Sequence, residues 1–237
     1  LFIMLADPFS TPLNDLLAAF NLNHPGVPVV GGMSSGAVIP GGNRLMLNDT
    51  LVNVGAVGVA MSGALSVDVI VSQGCRPVGA LCTVTAAEGN AIIRLENRAP
   101  VEAVQDLFDE MSPEDQQLVQ NGLYIGRAVR QQDSEPGRGD FLIRGVLGAD
   151  QNSGALIVGD IVPTGETIQF HLRDAVTARE DLDLLLIPQA FSDPPSGALL
   201  FTCNGRGTRL YDHPNGDISV IQDALGGVPL AGFFAAG

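Results

Sequence analysis

One stretch of this chain occurs twice. Gly26-Val27-Pro28-Val29-Val30-Gly31-Gly32-Met33-Ser34-Ser35-Gly36 and Gly227-Val228-Pro229-Leu230-Ala231-Gly232-Phe233-Phe234-Ala235-Ala236-Gly237 share the pattern G-V-P, two apolar residues, G, four residues, G. They align without a gap at a separation of 201 residues. The flanks match as well. An apolar run (Leu1 to Leu5; Leu199 to Cys203) leads through a polar turn to a short amphipathic pattern. Its apolar positions are Leu13, Leu16, Leu17 and Phe20 in one copy and Ile218, Ile221 and Leu225 in the other. Strand, helix and a second strand ending in a glycine-rich turn make one supersecondary unit. A chain that carries this unit twice is expected to pair the copies about a pseudo-twofold.

Between the copies, strand patterns outnumber helices. Leu45 and Leu47 alternate as in a half-buried hairpin strand. Ala56–Ser62, Val67–Ser72, Ala80–Ala86, Ala91–Leu95, Leu123–Arg130, Asp140–Val146, Ala155–Gly159 and Ile168–Leu172 read as further strands. Thr11-Pro12 reads as a helix start with a capping hydroxyl and proline in the first turn, and Ser112-Pro113-Glu114 repeats that logic. Val101, Val104, Phe108 and Met111 mark another helix face. Asp174 is placed to cap a helix bearing Leu182, Leu185 and Leu186. Gln131–Gly139 reads as an exposed acidic loop. The whole predicts a mixed αβ (α+β) fold of two pseudo-symmetric halves, with mostly antiparallel sheets flanked by helices. A composition break near Gly63 divides residues 1–63 from 64–237.

Charge and composition exclude several functions. The net charge is −14, with 26 acidic residues, 12 arginines and no lysine. No arginine cluster offsets a surface that would repel nucleic acid. Without lysine, Schiff-base chemistry and the phosphate loop ending in Gly-Lys are impossible. Three cysteines without a C-x-x-C leave an odd thiol and point to a reducing, cytoplasmic setting. Val54–Val71 is broken by glycines, serines and Asp68, so it reads as buried strands and not a membrane span. His24, His171, His213 and the cysteines show no zinc-type spacing, so no metal site is expected.

Gly32-Met33-Ser34-Ser35-Gly36 spells the G-x-S-x-G of a hydrolase elbow. That device needs a helix after the serine, and Ala37-Val38-Ile39-Pro40-Gly41-Gly42 cannot supply one. No catalytic residue is assigned. Arg138-Gly139-Asp140 matches an adhesion tripeptide only by chance. Two turns carry more information. In Cys203-Asn204-Gly205-Arg206-Gly207, Asn-Gly suits a tight turn with positive φ. An arginine between glycines has little packing around its stem, and its planar fork suits a carboxylate or phosphate. Gly74-Cys75-Arg76-Pro77-Val78-Gly79 reads as a comparable arginine-bearing turn between two apolar strands.

These motifs resemble the FIST family of sensory domains. Gly74–Gly79 looks like the family's G-C-R-P-hydrophobic-G segment. Gln169-Phe170-His171-Leu172-Arg173-Asp174 is similar to its strand-to-helix stretch, and Cys203–Gly207 and Gly227–Gly237 resemble its C-terminal motifs. The resemblance implies that residues 1–63 are the later part of a FIST N-terminal domain and 64–237 a FIST C-terminal domain truncated at its end. It implies a non-enzymatic sensor of an amino acid or similar small anionic metabolite, which signals to a kinase or cyclase. Two alternatives accompany it. One is a haem-binding nitric-oxide sensor with His24, His171 or Cys203 as ligand. The other is a protein-interaction platform of the F-box type. The expected ligand-binding set is Arg206, Asn204, Gly205, Cys203, Arg76, Cys75, Ser34 and Ser35, with both arginines serving the ligand.

Overall fold

The computed structural model describes residues 1–129, 136 and 140–236. Most of the acidic loop expected at Gln131–Gly139, most of the Arg138-Gly139-Asp140 tripeptide and the final Gly237 lie outside the described residues. The fold is α+β and forms two compact units. One comprises residues 1–71 and 186–237, the other residues 72–185. Both copies of the repeat therefore belong to the same unit, and the second unit is inserted between them in sequence.

In the first unit, the leading repeat is β1 (Phe2–Ala6), α1 (Leu13–Asn23) and β2 (Val29–Met33). β1 and β2 are parallel, with Met4 opposite Gly31. A hairpin of β3 (Leu45–Leu47) and β4 (Thr50–Val52) follows. Then β5 (Ala56–Ala60) returns antiparallel to β1, giving the order β2-β1-β5. The other repeat is β12 (Ala198–Cys203), α5 (Gly216–Leu225) and β13 (Leu230–Ala235), with a 3₁₀ turn at Gly207–Arg209. β12 and β13 are also parallel, and Leu200 lies opposite Gly232. Gly31 and Gly232 are the equivalent glycines of the repeat. A Cβ on Gly31 would lie 1.8 Å from the Met4 carbonyl oxygen, and one on Gly232 1.9 Å from that of Leu200. The same backbone approach is thus built twice, and only glycine permits it.

The remaining strands are β6 (Cys75–Glu88), β7 (Ala91–Leu95), β8 (Tyr124–Ala128), β9 (Phe141–Ala149), β10 (Leu156–Val158) and β11 (Thr167–Arg173). They close an antiparallel barrel in the order β10-β7-β6-β11-β8-β9. Val84, Ile92, Ile125, Val158, Ile168 and Leu172 are fully buried, so the barrel interior is packed with side chains. Each contributes about 1.5–3 kcal/mol by leaving water. α2 (Pro100–Glu110) and α3 (Pro113–Asn121) lay Ala103, Val104, Leu107, Leu118 and Val119 against this core. Ser112 caps α3 by accepting the Asp115 N–H at 3.1 Å. Asp174 caps α4 (Ala175–Leu186) by accepting that of Thr177 at 2.7 Å. An ion network staples the β10–β11 connection to β8 and β9. Arg127 forks onto Glu166 at 2.7 and 2.6 Å and reaches Asp160 at 2.7 Å, while Arg144 meets Asp160 at 2.8 Å.

Four local expectations fail. Gly74–Gly79 is no turn between strands: Cys75 to Val78 begin β6 and pair with β11. β7 pairs only from Val84 onward, so this part of β6 has one neighbour, the edge position where proline is tolerated. Gly79 (φ 68°) bulges the strand instead. Val67–Ser72 forms no strand, because its β-branched residues meet no pairing partner among the described residues. Thr11 does not cap α1: its hydroxyl donates to the Gly55 carbonyl at 2.9 Å, and Pro12 stands at the cap position. β2 does not stop at Gly31 but continues through both glycines to Met33.

Two measurements check this description. Gly232→Ala and Gly31→Ala should each destabilise the chain by about 3 kcal/mol or more in urea unfolding, since backbone and not a flexible side chain blocks the new methyl. The second concerns acid. Burial pushes the Asp160 carboxyl up, but Arg144, the Ile161 N–H and Arg127 outweigh it and hold it below its ordinary 3.8. Asp174 is likewise pushed up by burial and held down by Thr177 and Arg76. Carboxyls depressed in the folded state contribute stability in full above their ordinary value and lose it as pH falls through the depressed one. The melting temperature should therefore fall between about pH 5 and pH 2, and Asp160→Asn should flatten that slope.

Candidate functional site

The carboxyl ends of the two parallel pairs meet. The Ala236 N–H donates to the Met33 carbonyl at 2.9 Å, and the Ser35 hydroxyl donates to the Phe234 carbonyl. Met33 corresponds to Phe234 and Ser35 to Ala236 by the spacing of the repeat. The two contacts are therefore exchanged by a pseudo-twofold axis passing between the strand ends. Ser34 and Ser35 follow β2, Cys203 ends β12, and Asn204 and Gly205 follow it; all five are half-buried. Six of the eight expected residues, these five and Arg206, thus lie at or just beyond the carboxyl ends of β2 and β12. Arg76 and Cys75 lie on β6 in the other unit.

Two polar networks fix the loops that leave β1 and β12. Asp7, directly after β1, is 0% exposed. It accepts from the Ser10 hydroxyl at 2.6 Å, the Asn43 amide at 2.8 Å and the Phe9 N–H at 3.2 Å. The first two chiefly hold its carboxyl below the ordinary value. After β12, Arg206 pairs with Asp217 on the first turn of α5. The Tyr211 hydroxyl donates to the same carboxylate at 2.6 Å, and Thr202 approaches it at 3.4 Å. Burial, reinforced by the Asp217 charge, pushes the Tyr211 phenol well above its usual range. Gly216 admits the tyrosine: a Cβ there would lie 2.4 Å from its ring.

These partners correct the expected surroundings of Arg206. Its guanidinium is only 7% exposed and is held by Asp217 and Tyr211, not extended into solvent or an open cleft. Flanking glycines suggested a bare stem, whereas the partners come from residues 211 and 217, beyond the motif. Nor do Asn204 and Gly205 take positive φ. They form an ordinary turn closed by the Arg206 N–H on the Cys203 carbonyl at 3.0 Å, and Gly207 (φ 65°) takes the left-handed conformation. Several backbone donors of the strand ends are committed to carbonyls: Ser34 to Ala6 and Asn204 to Ala235. Arg76 is bound by Asp115 and Asp174, and Cys75 accepts from Arg173 Nε at 3.4 Å.

Ser34 follows β2 without a helix behind it, so the geometry of a nucleophile elbow is absent. The three haem-ligand candidates are divided between the units, His24 and Cys203 in one and His171 in the other. His24 packs at a tilt against Phe2 and Phe20 beside the amino end of β1, whereas Cys203 ends β12 at its carboxyl end. His171 is buried in the barrel, which lowers its pKa against the opposing pull of the Gln169 carbonyl. A methyl on Gly126 would sit 2.4 Å from its ring and 2.9 Å from Phe141, so that side of the imidazole is closely packed. Among the described residues, no group of three or more His, Cys, Asp or Glu side chains is placed to hold a metal ion. No helix among them is long and apolar enough to cross a membrane.

Comparison with known proteins gives these features a family. The FIST N domain model matches residues 1–98 and the FIST C domain model residues 100–237. The chain belongs to the FIST family, whose domains are sensory modules of signal transduction. It is 47% identical over 239 residues to an uncharacterized protein of Mycobacterium tuberculosis (strain ATCC 25618 / H37Rv). It is 44% identical over the same length to one of Mycobacterium bovis (strain ATCC BAA-935 / AF2122/97). Each alignment takes in 100% of this chain and 62% of the relative, so the chain spans less than two thirds of these proteins. No solved structure matches it significantly. The two domain matches meet near residue 99, inside the barrel sequence, whereas the compact units part after Val71 and Leu185.

The burial of Arg206 sets a specific expectation. Arg206→Ala strands the Asp217 carboxylate and should cost about 3–5 kcal/mol of stability, whereas replacing both partners with apolar residues of similar volume, Arg206→Met with Asp217→Leu, should recover most of it. Urea unfolding of the three variants is the measurement. A loss below about 1 kcal/mol for Arg206→Ala would show the pair to be dispensable.

Proposed function

We propose that the chain is the input part of a signalling protein and binds a small metabolite of the amino-acid class at the carboxyl ends of its duplicated strands. The observation that carries this is the meeting of β1–β2 with β12–β13 through the Met33–Ala236 and Ser35–Phe234 contacts. Open parallel αβ sheets bind ligands outside the carboxyl ends of their strands, and here two such ends share one seam. The half-buried side chains present are neutral hydrogen-bonding groups, Ser34, Ser35 and Asn204. The arginine charge that follows β12, on Arg206, is already balanced by Asp217. With a net charge of −14, this set favours a zwitterion without net charge over a strongly anionic metabolite. In this reading Arg206 positions the loop and does not clamp the ligand. A ligand that bridges the seam favours one arrangement of the two repeats over another, and such differential affinity is what a sensor requires. An output module such as a kinase or cyclase, elsewhere in the full-length protein, would read that shift. No catalysis is assigned to the site.

Calorimetric titration of an amino-acid panel is the test. A neutral hydrogen bond contributes about 0.5–1.5 kcal/mol, so Ser34→Ala and Asn204→Ala should each weaken the bound member by up to about tenfold. A panel in which nothing binds would defeat the amino-acid assignment, and a bound ligand indifferent to both substitutions would defeat the location.

A further inference from the structure

The buried acids that fix the two loops differ in one respect. Asp217 is paired with Arg206, so the network that follows β12 carries no net charge. Asp7, after β1, is bound by neutral donors alone: the Ser10 hydroxyl, the Asn43 amide and the Phe9 N–H. Among the described residues no arginine or histidine pairs with it. Arg44, next to Asn43, turns its guanidinium onto the carbonyls of Gly41, Gly42 and Asn43 instead. The bonds from Ser10 and Asn43 favour the ionised carboxyl. A buried charge is ordinarily paired, and this one, fully covered by protein, has no cation to answer it.

The place of Asp7 gives that charge a target. Asp7 continues β1 as Ser34 continues β2, and the Ser34 N–H donates to the Ala6 carbonyl at 2.7 Å. Neighbouring strands run about 5 Å apart, so the two residues stand side by side. Asn43 ties the carboxylate to the same loop, since its amide oxygen accepts the Ala37 N–H at 3.0 Å. On that loop the Ser35 hydroxyl already donates to the Phe234 carbonyl, so toward any other group its oxygen can only accept. We infer that the Ser34–Ser35 side of the seam is a subsite for an organic ammonium group, with serine oxygens as acceptors and the Asp7 charge as the selecting element. Asp7 is a specificity determinant that acts through its field, which water screens little at a covered site. The other end of the ligand meets Asn204, beside a balanced ion pair that demands no charge. The inference rests on the seam being the ligand site, and it gives the site a direction: amines and amino acids are selected over acids of the same carbon skeleton.

A comparison of charged reagents tests the inference without a ligand. Ser34→Cys and Asn204→Cys, each made in the full-length protein, are treated with a cationic (trimethylammonioethyl) and an anionic (sulfonatoethyl) methanethiosulfonate. Peptide mass mapping separates each new thiol from Cys75, Cys82 and Cys203. The ratio of cationic to anionic rate should be at least about fivefold higher at position 34 than at position 204. The net charge of −14 is common to both positions. Equal ratios, or a higher one at position 204, would overturn the proposal. Asp7→Asn should bring the ratio at position 34 down to that at position 204, and Asp7→Glu should preserve it. An unchanged ratio in a folded Asp7→Asn protein would overturn the proposal too; if that variant does not fold, the two positions compared in the presence of Asp7 decide alone. In calorimetry, an amino acid that binds should do so at least about tenfold more tightly than the acid lacking its amino group, and equal affinities would sink the subsite. A panel in which no amino acid binds defeats the ligand class proposed above, while the reagent ratios still decide the charge of the subsite.

Discussion

Parallel strands joined by a short helix come together in this unit only because one backbone carries no side chain at the point of closest approach. Gly31 against Met4 and Gly232 against Leu200 are the two instances, and each sets the register of its pair. Register in turn decides which residues arrive at the strand ends. A slip of one position would turn every side chain of β2 or β13 to the opposite face and separate the contacts through which the repeats meet. The glycine approach is therefore the constraint behind the seam and behind the placing of Ser34, Ser35, Asn204 and Gly205.

The two repeats solve the same local problem with different chemistry. A loop leaving a parallel strand must turn sharply into a helix while its polar groups stay paired. After β1 the solution is a carboxylate wrapped by Ser10, Asn43 and the Phe9 N–H. After β12 it is an ion pair with a tyrosine hydroxyl on the same oxygen. Either network, once buried, penalises the loss of a single member heavily, because the remaining polar groups are left without water.

Much of this was legible in the sequence, because it depends on residues whose conformational demands are local. The paired G-V-P stretches and the Ser112 and Asp174 caps announce themselves within a few positions. Pro77 misled for the same reason: it argues against a strand locally, and only the single-neighbour position of Cys75–Val78 makes it acceptable. The surroundings of Arg206 could not be read, since Asp217 in a helix's first turn looks like any acid complementing the helix dipole. Asp7 and Asn43 are 36 positions apart, and nothing in either neighbourhood signals the other. Likewise, no local pattern shows that a barrel separates the two halves of one compact unit.

That insertion has a consequence for how the chain reaches its native state. The barrel's strands all fall between residues 75 and 173, so it holds every pairing it needs before the second repeat emerges from the ribosome. The other unit closes contacts between residues about 200 positions apart, whose loop-closure entropy a free chain would bear in full. With the barrel already compact, that span shortens to the reach of a folded body. The first repeat meanwhile waits with its apolar strands exposed, and chaperone dependence and aggregation during synthesis should concentrate in residues 1–71.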